Sequence, residues 1–320
     1  MRRQKWVTGV ALGSVLAVSV IACGKPAAPP APPVAAPTAS AAPAPPTETP
    51  FAKAPPMTEQ IDFAKQLENF EAAKFSDPTT ISNTFLPLAP GTQRTYEGTA
   101  TSQDEGMIKR RFVQTVTDLT KPIMGVRTVV VWDQDFDNGQ LKEAELAFFG
   151  QADNGDVWYF GEYPESYENG RLAEIPTWIA GIAGAHPGIV MKATAELGSP
   201  SYSQGFSPVV PWTDRSRLSQ VGVKDCVPQG CNSNMIVVDE FNREEPGAVQ
   251  QKYYAPGVGN TRTSSIGLDS ETLQLVKLTQ LDPAGFAAAR ASALKLDASG
   301  LQHSREVYAQ STPIEKPAGK

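Results

Sequence analysis

Residues 125–163 read GVRTVVVWDQDFDNGQLKEAELAFFGQADNGDVWYFGEY, and the fold class follows from them. Residues 126–132 are β-branched and aromatic, Asp137-Asn138-Gly139 tolerates the positive φ angles of a hairpin turn, and residues 141–149 continue the sheet. Asp153-Asn154-Gly155 makes a second turn and delivers Val157-Trp158-Tyr159-Phe160, the densest aromatic cluster in the chain. Three antiparallel strands in a row are the expectation.

The pattern extends in both directions. Upstream, Pro90-Gly91 reads as a turn, residues 92–101 as a strand, and residues 109–119 alternate with period two. Downstream, strands are expected at 189–191, 218–223, 234–240, 248–255, 261–267 and 273–280, with turns at Pro246-Gly247 and at 256–259. Between them, residues 178–188 are rich in Gly and Ala, which permits close backbone approach to a neighbour. Two helices flank the strands. Residues 58–75 carry Thr58 as an N-cap with Ile61, Ala64, Leu67 and Phe70 at helical spacing. Asp282 caps a second helix with Pro283 at its first position, an Ala-rich stripe through Phe286, Ala289, Ala293 and Leu296, and Gly300 as a stop. The reading is a mainly β domain over 57–320. Its antiparallel sheet must curl into a barrel, half-barrel or sandwich to protect its edges.

The N-terminal segment is of a different kind. Residues 1–22 have a basic start at Arg2, Arg3 and Lys5 followed by an apolar stretch, the pattern of a signal peptide. Val20-Ile21-Ala22-Cys23 resembles the lipobox of bacterial lipoproteins, and the resemblance implies a diacylated, N-acylated Cys23 as the mature first residue. Several acyl chains, at about 0.8 kcal/mol per buried CH₂, anchor a domain to a lipid bilayer where one chain would not. Gly24 in place of Asp directs the expected location to the outer membrane of the cell envelope. Residues 25–56 are mostly Ala and Pro, with twelve prolines, a stiff tether that at about 3.1 Å per residue reaches on the order of 100 Å. Loss of residues 1–22 removes three cations and moves the net charge from −6 to −9, which argues against nucleic acid as a partner.

Cys226 and Cys231 bracket Pro228 and Gly230 in DCVPQGC. In an oxidising envelope compartment they are expected to form a disulfide at a hairpin tip, since zinc would need more ligands than two distant histidines supply.

The fragments PLAPGTQRTYEG (87–98), ADNGDVWYFGEY (152–163), AGAHPGIVM (183–191) and PGAVQQKYYAPGVGNTR (246–262) resemble an uncharacterised family of bacterial secreted β-rich lipoproteins, which carries similar segments in the same order. The resemblance spans about 170 residues. It implies a β-rich envelope domain and carries no catalytic residues over; CVPQGC departs from its pattern.

Three groups of side chains invite a functional reading. Asp133, Asp135 and Asp137 share one face of a strand and superficially resemble a calcium loop, but Gly139 and Glu143 are out of register for one, so a solvated hairpin is the first reading and an irregular calcium site the second. Trp158 and Phe160 share a face and, with His186 in the Gly-rich segment, are the ligand-binding candidates should the sheet enclose a concavity. The bland alternative is plain core for the aromatics and a solvated loop for His186. No GxSxG, HExxH or P-loop motif is present. The expectation is therefore a membrane-anchored, non-catalytic binding or assembly module meeting an envelope protein or a hydrophobic ligand. A carrier of a hydrophobic ligand is the second reading, and a hydrolase using scattered carboxylates with His186 the third.

Overall fold

The computed structural model describes residues 48–102, 106–194, 196–266 and 270–316. Cys23, the signal segment and most of the tether lie outside the described residues. In chain order the strands are β1 (Ala52–Lys53), β2 (Thr92–Ser102), β3 (Gly106–Ile123), β4 (Val126–Asp137), β5 (Gln140–Gln151), β6 (Val157–Glu168), β7 (Arg171–Glu174), β8 (Trp178–Ile179) and β9 (His186–Met191). There follow β10 (Tyr202–Ser203), β11 (Gly205–Phe206), β12 (Arg215–Val227), β13 (Gly230–Phe241), β14 (Val249–Ala255), β15 (Gly259–Ile266) and β16 (Ser270–Gln280), and helix α1 (Pro283–His303) closes the fold.

These strands form one large antiparallel sheet in the order β1-β12-β13-β14-β15-β16-β2-β3-β4-β5-β6-β9-β11. The three strands of residues 125–163 are neighbours in this ladder, toward its β9–β11 end. Their turn forms as the sequence requires, with Asn138 at φ 50° and Gly139 at φ 84°, the doubly left-handed geometry that matches strand twist. The sheet does not close. Instead residues 202–206 reach between its two ends: Tyr202 and Ser203 pair with β12, and Gly205 and Phe206 pair with β9. Gly188 makes that approach workable, because a Cβ there would stand 2.2 Å from the Gln204 carbonyl carbon.

One face of the central strands is covered by α1 and the segment after it. Asp282 accepts a hydrogen bond from the Gly285 amide at 2.7 Å, and Ala289, Ala293 and Leu296 are buried. Small alanines let the helix lie close to the sheet. Gly300 does not stop the helix, which runs on to His303. It is buried, and a Cβ there would meet the Tyr308 ring at 2.6 Å, so its role is close packing. Tyr308 sits against Tyr163 and Phe148, with ring centroids 4.7 and 6.2 Å away. Lys121, fully buried, donates to the Thr312 carbonyl at 2.7 Å and stands 4.0 Å from the centre of the Tyr308 ring.

The expected N-terminal helix over 58–75 does not form; one 3-10 turn, Phe70–Ala72, is all the helix there. Tertiary bonds claim the backbone and acids that a helix would need. The buried Arg215 guanidinium donates to the Gln66 carbonyl at 2.6 Å, and Glu59 and Glu68 accept from the Ser201 and Ser203 amides. Asp62 turns its own side chain onto the Ala64 amide at 3.2 Å, competing with helical pairing. Phe70 and Phe75 instead pack edge-on against Trp158 and Phe160.

The end of the proline-rich stretch is part of the ordered structure. Ala52 and Lys53 pair with β12, and Arg217 donates to the Pro55 carbonyl at 2.8 Å. At the far end of β12, Cys226 and Cys231 are bonded across the β12–β13 hairpin.

Candidate functional site

Period-two alternation sends every second side chain of β2–β6 and β13–β16 to the face opposite α1, where they surround a cavity of about 490 Å³. Its content is unusual for a protein interior. Ten carboxyl side chains line it against four cationic ones, Arg94, Arg110, Lys142 and Lys252.

The register explains the crowding. Across β4 and β5, Asp133 lies opposite Glu145 and Asp135 opposite Glu143, while Ala147 of β5 faces Glu162 of β6. Like charges at directly opposed strand positions repel, and burial removes the water that would screen them. Protons resolve the conflict. Burial raises the Asp133 carboxyl to about 7, with Gln114 pulling it back and Glu143 adding to the rise. Burial likewise raises Asp135 to about 7 against the opposing pull of Arg110, and raises Asp214 to about 6. Glu162 is pushed up to about 8 by burial, although the Tyr159 hydroxyl, donating at 2.5 Å, favours its ionised form. Glu145 is displaced well above the usual carboxylate range by burial and by the neighbouring Glu162, Glu143 and Asp133.

The cations are committed elsewhere on the wall. Arg110 pairs with Asp135, lies 3.0 Å from Asp137 without hydrogen-bond alignment, and reaches Glu271 at 3.6 Å. Lys252 is bound to Glu240 at 2.6 Å; burial pulls its ammonium down, but Glu240, Asp214 and Glu271 outweigh that and raise it. Arg94 donates to the carbonyls of Val258 and Pro87 at 3.0 and 2.8 Å. Several carboxylate oxygens on the wall keep no partner, among them Asp133 Oδ1, Glu162 Oε1 and Asp214 Oδ1. Glu162 is 2% exposed and borders the cavity, and that oxygen is shut off from bulk water.

An aromatic group borders the same carboxylates. Phe149 and Tyr159 stack at 4.8 Å, and Trp212 stands edge-on to Tyr159 at 5.8 Å, backed by Trp178. The cavity thus offers an apolar, π-rich side next to buried acceptors.

These positions correct the sequence reading of the site. Asp133, Asp135 and Asp137 do share one face, but it is the inner one: Asp137 is 4% exposed, and the solvated-hairpin reading does not hold. Nor do they form a calcium cage. Among the described residues no group of three or more His, Cys, Asp and Glu is placed to hold a metal ion, and the Arg110 guanidinium occupies the place between Asp135 and Asp137 that a cation would take. Trp158 and Phe160 share a face as expected, yet that face packs on Phe70 and Phe75 and away from the cavity; Tyr159, between them, is the residue that lines it. His186 is exposed on β9, paired with Phe206, and does not join the carboxylates. Glu143, which the sequence offered only as an out-of-register calcium ligand, and Glu145, Glu162, Asp214 and Trp212, which it did not single out, complete the wall. The first two continue the alternation of acids visible at 133, 135 and 137; the face to which it belonged was misread.

Comparison with family models, with curated proteins and with solved structures finds no match to this chain. Among the described residues no helix is long and apolar enough to cross a membrane.

Proposed function

We propose that this chain is a lipid-anchored, non-catalytic binding protein of the bacterial cell envelope, held by acylated Cys23 at the outer membrane and taking a small molecule inside its curled sheet. The cavity of about 490 Å³, walled by buried carboxylate oxygens without partners, carries the reading. That volume lies in the range of small-molecule sites, and unsatisfied buried acceptors are costly unless something fills them. A carrier of a purely hydrophobic ligand is disfavoured, since such a ligand would leave Asp133, Glu145 and Glu162 facing hydrocarbon. A hydrolase pairing His186 with carboxylates is disfavoured because that exposed histidine is not part of the cavity wall.

Two measurements test the proposal. Cys23→Ser should shift the protein from the membrane to the soluble fraction; equal retention would remove the anchor from the reading. Ala147→Trp, filling the cavity from a wall position, should abolish small-molecule binding while the melting transition is kept. Undiminished binding would place the ligand elsewhere.

A further inference from the structure

We infer that the ligand of this cavity is an organic cation: an ammonium bearing N–H donors, seated against Glu162 and Asp214, joined to an apolar or aromatic body that lies on Phe149, Tyr159 and Trp212. The inference rests on the proposed binding function and names the chemistry of its ligand.

The charge inventory comes first. The wall has ten carboxyls to four cations: Arg110 is held by Asp135, Asp137 and Glu271, Arg94 by two carbonyls, Lys142 acts on Asp137, and Lys252 is bound to Glu240 while also acting on Asp214 and Asp133. Among the described residues no ion pair reaches Glu145, Glu162 or Asp214. Glu145 and Glu162 hold protons in the unliganded protein, and a bound ammonium would take the place of those protons.

The second observation is independent of that surplus. Glu162 is 2% exposed, lines the cavity, takes the Tyr159 hydroxyl on one oxygen at 2.5 Å, and has no partner for the other. Asp214 Oδ1 and Asp133 Oδ1, also on the wall, are likewise without partners. Acceptors without donors call for a ligand that donates, and anionic acceptors favour a charged donor over a hydroxyl.

The aromatic side fixes the other half of the ligand. Phe149, Tyr159 and Trp212 form a connected group with centroid separations of 4.8 and 5.8 Å beside Glu162, and π faces attract cations as well as burying apolar area. A bare metal ion would use none of that surface. A carboxylate ligand brings no donor to the three oxygens, and a neutral hydroxyl donates to them without supplying a counter-charge.

The test uses the full-length protein purified in detergent, followed by tryptophan fluorescence and calorimetry with three probes sharing one apolar body: phenethylamine, phenethyl alcohol and hydrocinnamate. The amine should bind at least about tenfold more tightly than the other two, and Glu162→Gln, a near-isosteric change, should erase that preference while leaving alcohol binding in place and without lowering the melting temperature. Asp214→Asn should weaken the amine in the same sense. Alcohol binding as tight as amine binding, or tighter hydrocinnamate binding, overturns the cation inference and leaves the binding reading standing. Failure of all three probes to bind overturns this inference; if the cavity-filling Ala147→Trp variant then also retains whatever copurifies with the wild type, the binding reading falls with it.

Discussion

The two faces of β5 and β6 are built from residues of the same strands, alternating except at a bulge at Phe160–Gly161 that brings Tyr159 and Glu162 to one side, and have opposite contents. Toward α1 and the N-terminal segment stand Phe148, Trp158, Phe160 and Tyr163, each 3% exposed or less and each in contact with another ring. Toward the cavity stand Glu145, Phe149, Tyr159 and Glu162, around space that the chain leaves unfilled. The first face is packed as protein interiors are, and folding free energy comes from it. The second carries buried acids in excess, a destabilising arrangement of the sort retained at functional sites. The difference separates stability from binding between the two sides of one sheet, so substitutions on the two sides should behave in opposite ways.

The largest contrast is expected at adjacent residues. Phe148→Ala removes a fully buried ring and should cost about 3–5 kcal/mol in chemical denaturation, whereas Phe149→Ala, on the cavity side, should cost markedly less. Equal losses would mean that the cavity face is as tightly packed as the other. Next in size, reduction of Cys226–Cys231 or a double Ser variant should cost roughly 2 kcal/mol or less, because the closed loop is short and the residues are already paired in the hairpin.

A smaller effect, of unusual sign, belongs to the inner acids. Burial holds Asp133 and Glu162 at about 7 and about 8 in the folded protein, above their unfolded values, so the folded state binds protons more tightly. Their contribution to stability is complete below about pH 4 and is lost as pH rises through 7 to 8. The unliganded protein should therefore melt at lower temperature at pH 8 than at pH 5. Glu162→Gln should flatten that slope and raise stability at pH 8 by on the order of 1 kcal/mol. A slope of the opposite sign would show that the carboxylates are charged and paired. The smallest expected effect is that of calcium: millimolar concentrations should shift the melting temperature by less than about 1 °C. A rise of several degrees, reversed by a chelator or by Asp135→Asn, would restore the metal reading.

Most of the ladder was legible in the chain because strand alternation and turn chemistry are local. Asn138-Gly139 fixes a turn by its own φ preferences, and Asp282-Pro283 starts α1 by capping. The helix expected at 58–75 failed for a non-local reason: Arg215, far along the chain, takes the Gln66 carbonyl. The site was half legible. The alternation of acids at 133, 135, 137, 143 and 145 is plain, but alternation gives two faces without saying which is enclosed, and acids are ordinarily outside.

The sequence by itself determined the antiparallel β architecture, the positions of most of the long strands along the chain, the C-terminal helix and the disulfide hairpin, since each depends on residues near one another in the chain, whereas the pairing of β16 with β2 joins distant ones. Only the tertiary structure decided that the sheet curls with its acid face inward, that Tyr159 and not its neighbours meets the cavity, and that residues 202–206 reach between the ends of the sheet. Those features depend on which face long-range packing covers: Phe70, Phe75, α1 and Tyr308 bury one side, and the acids have only the other.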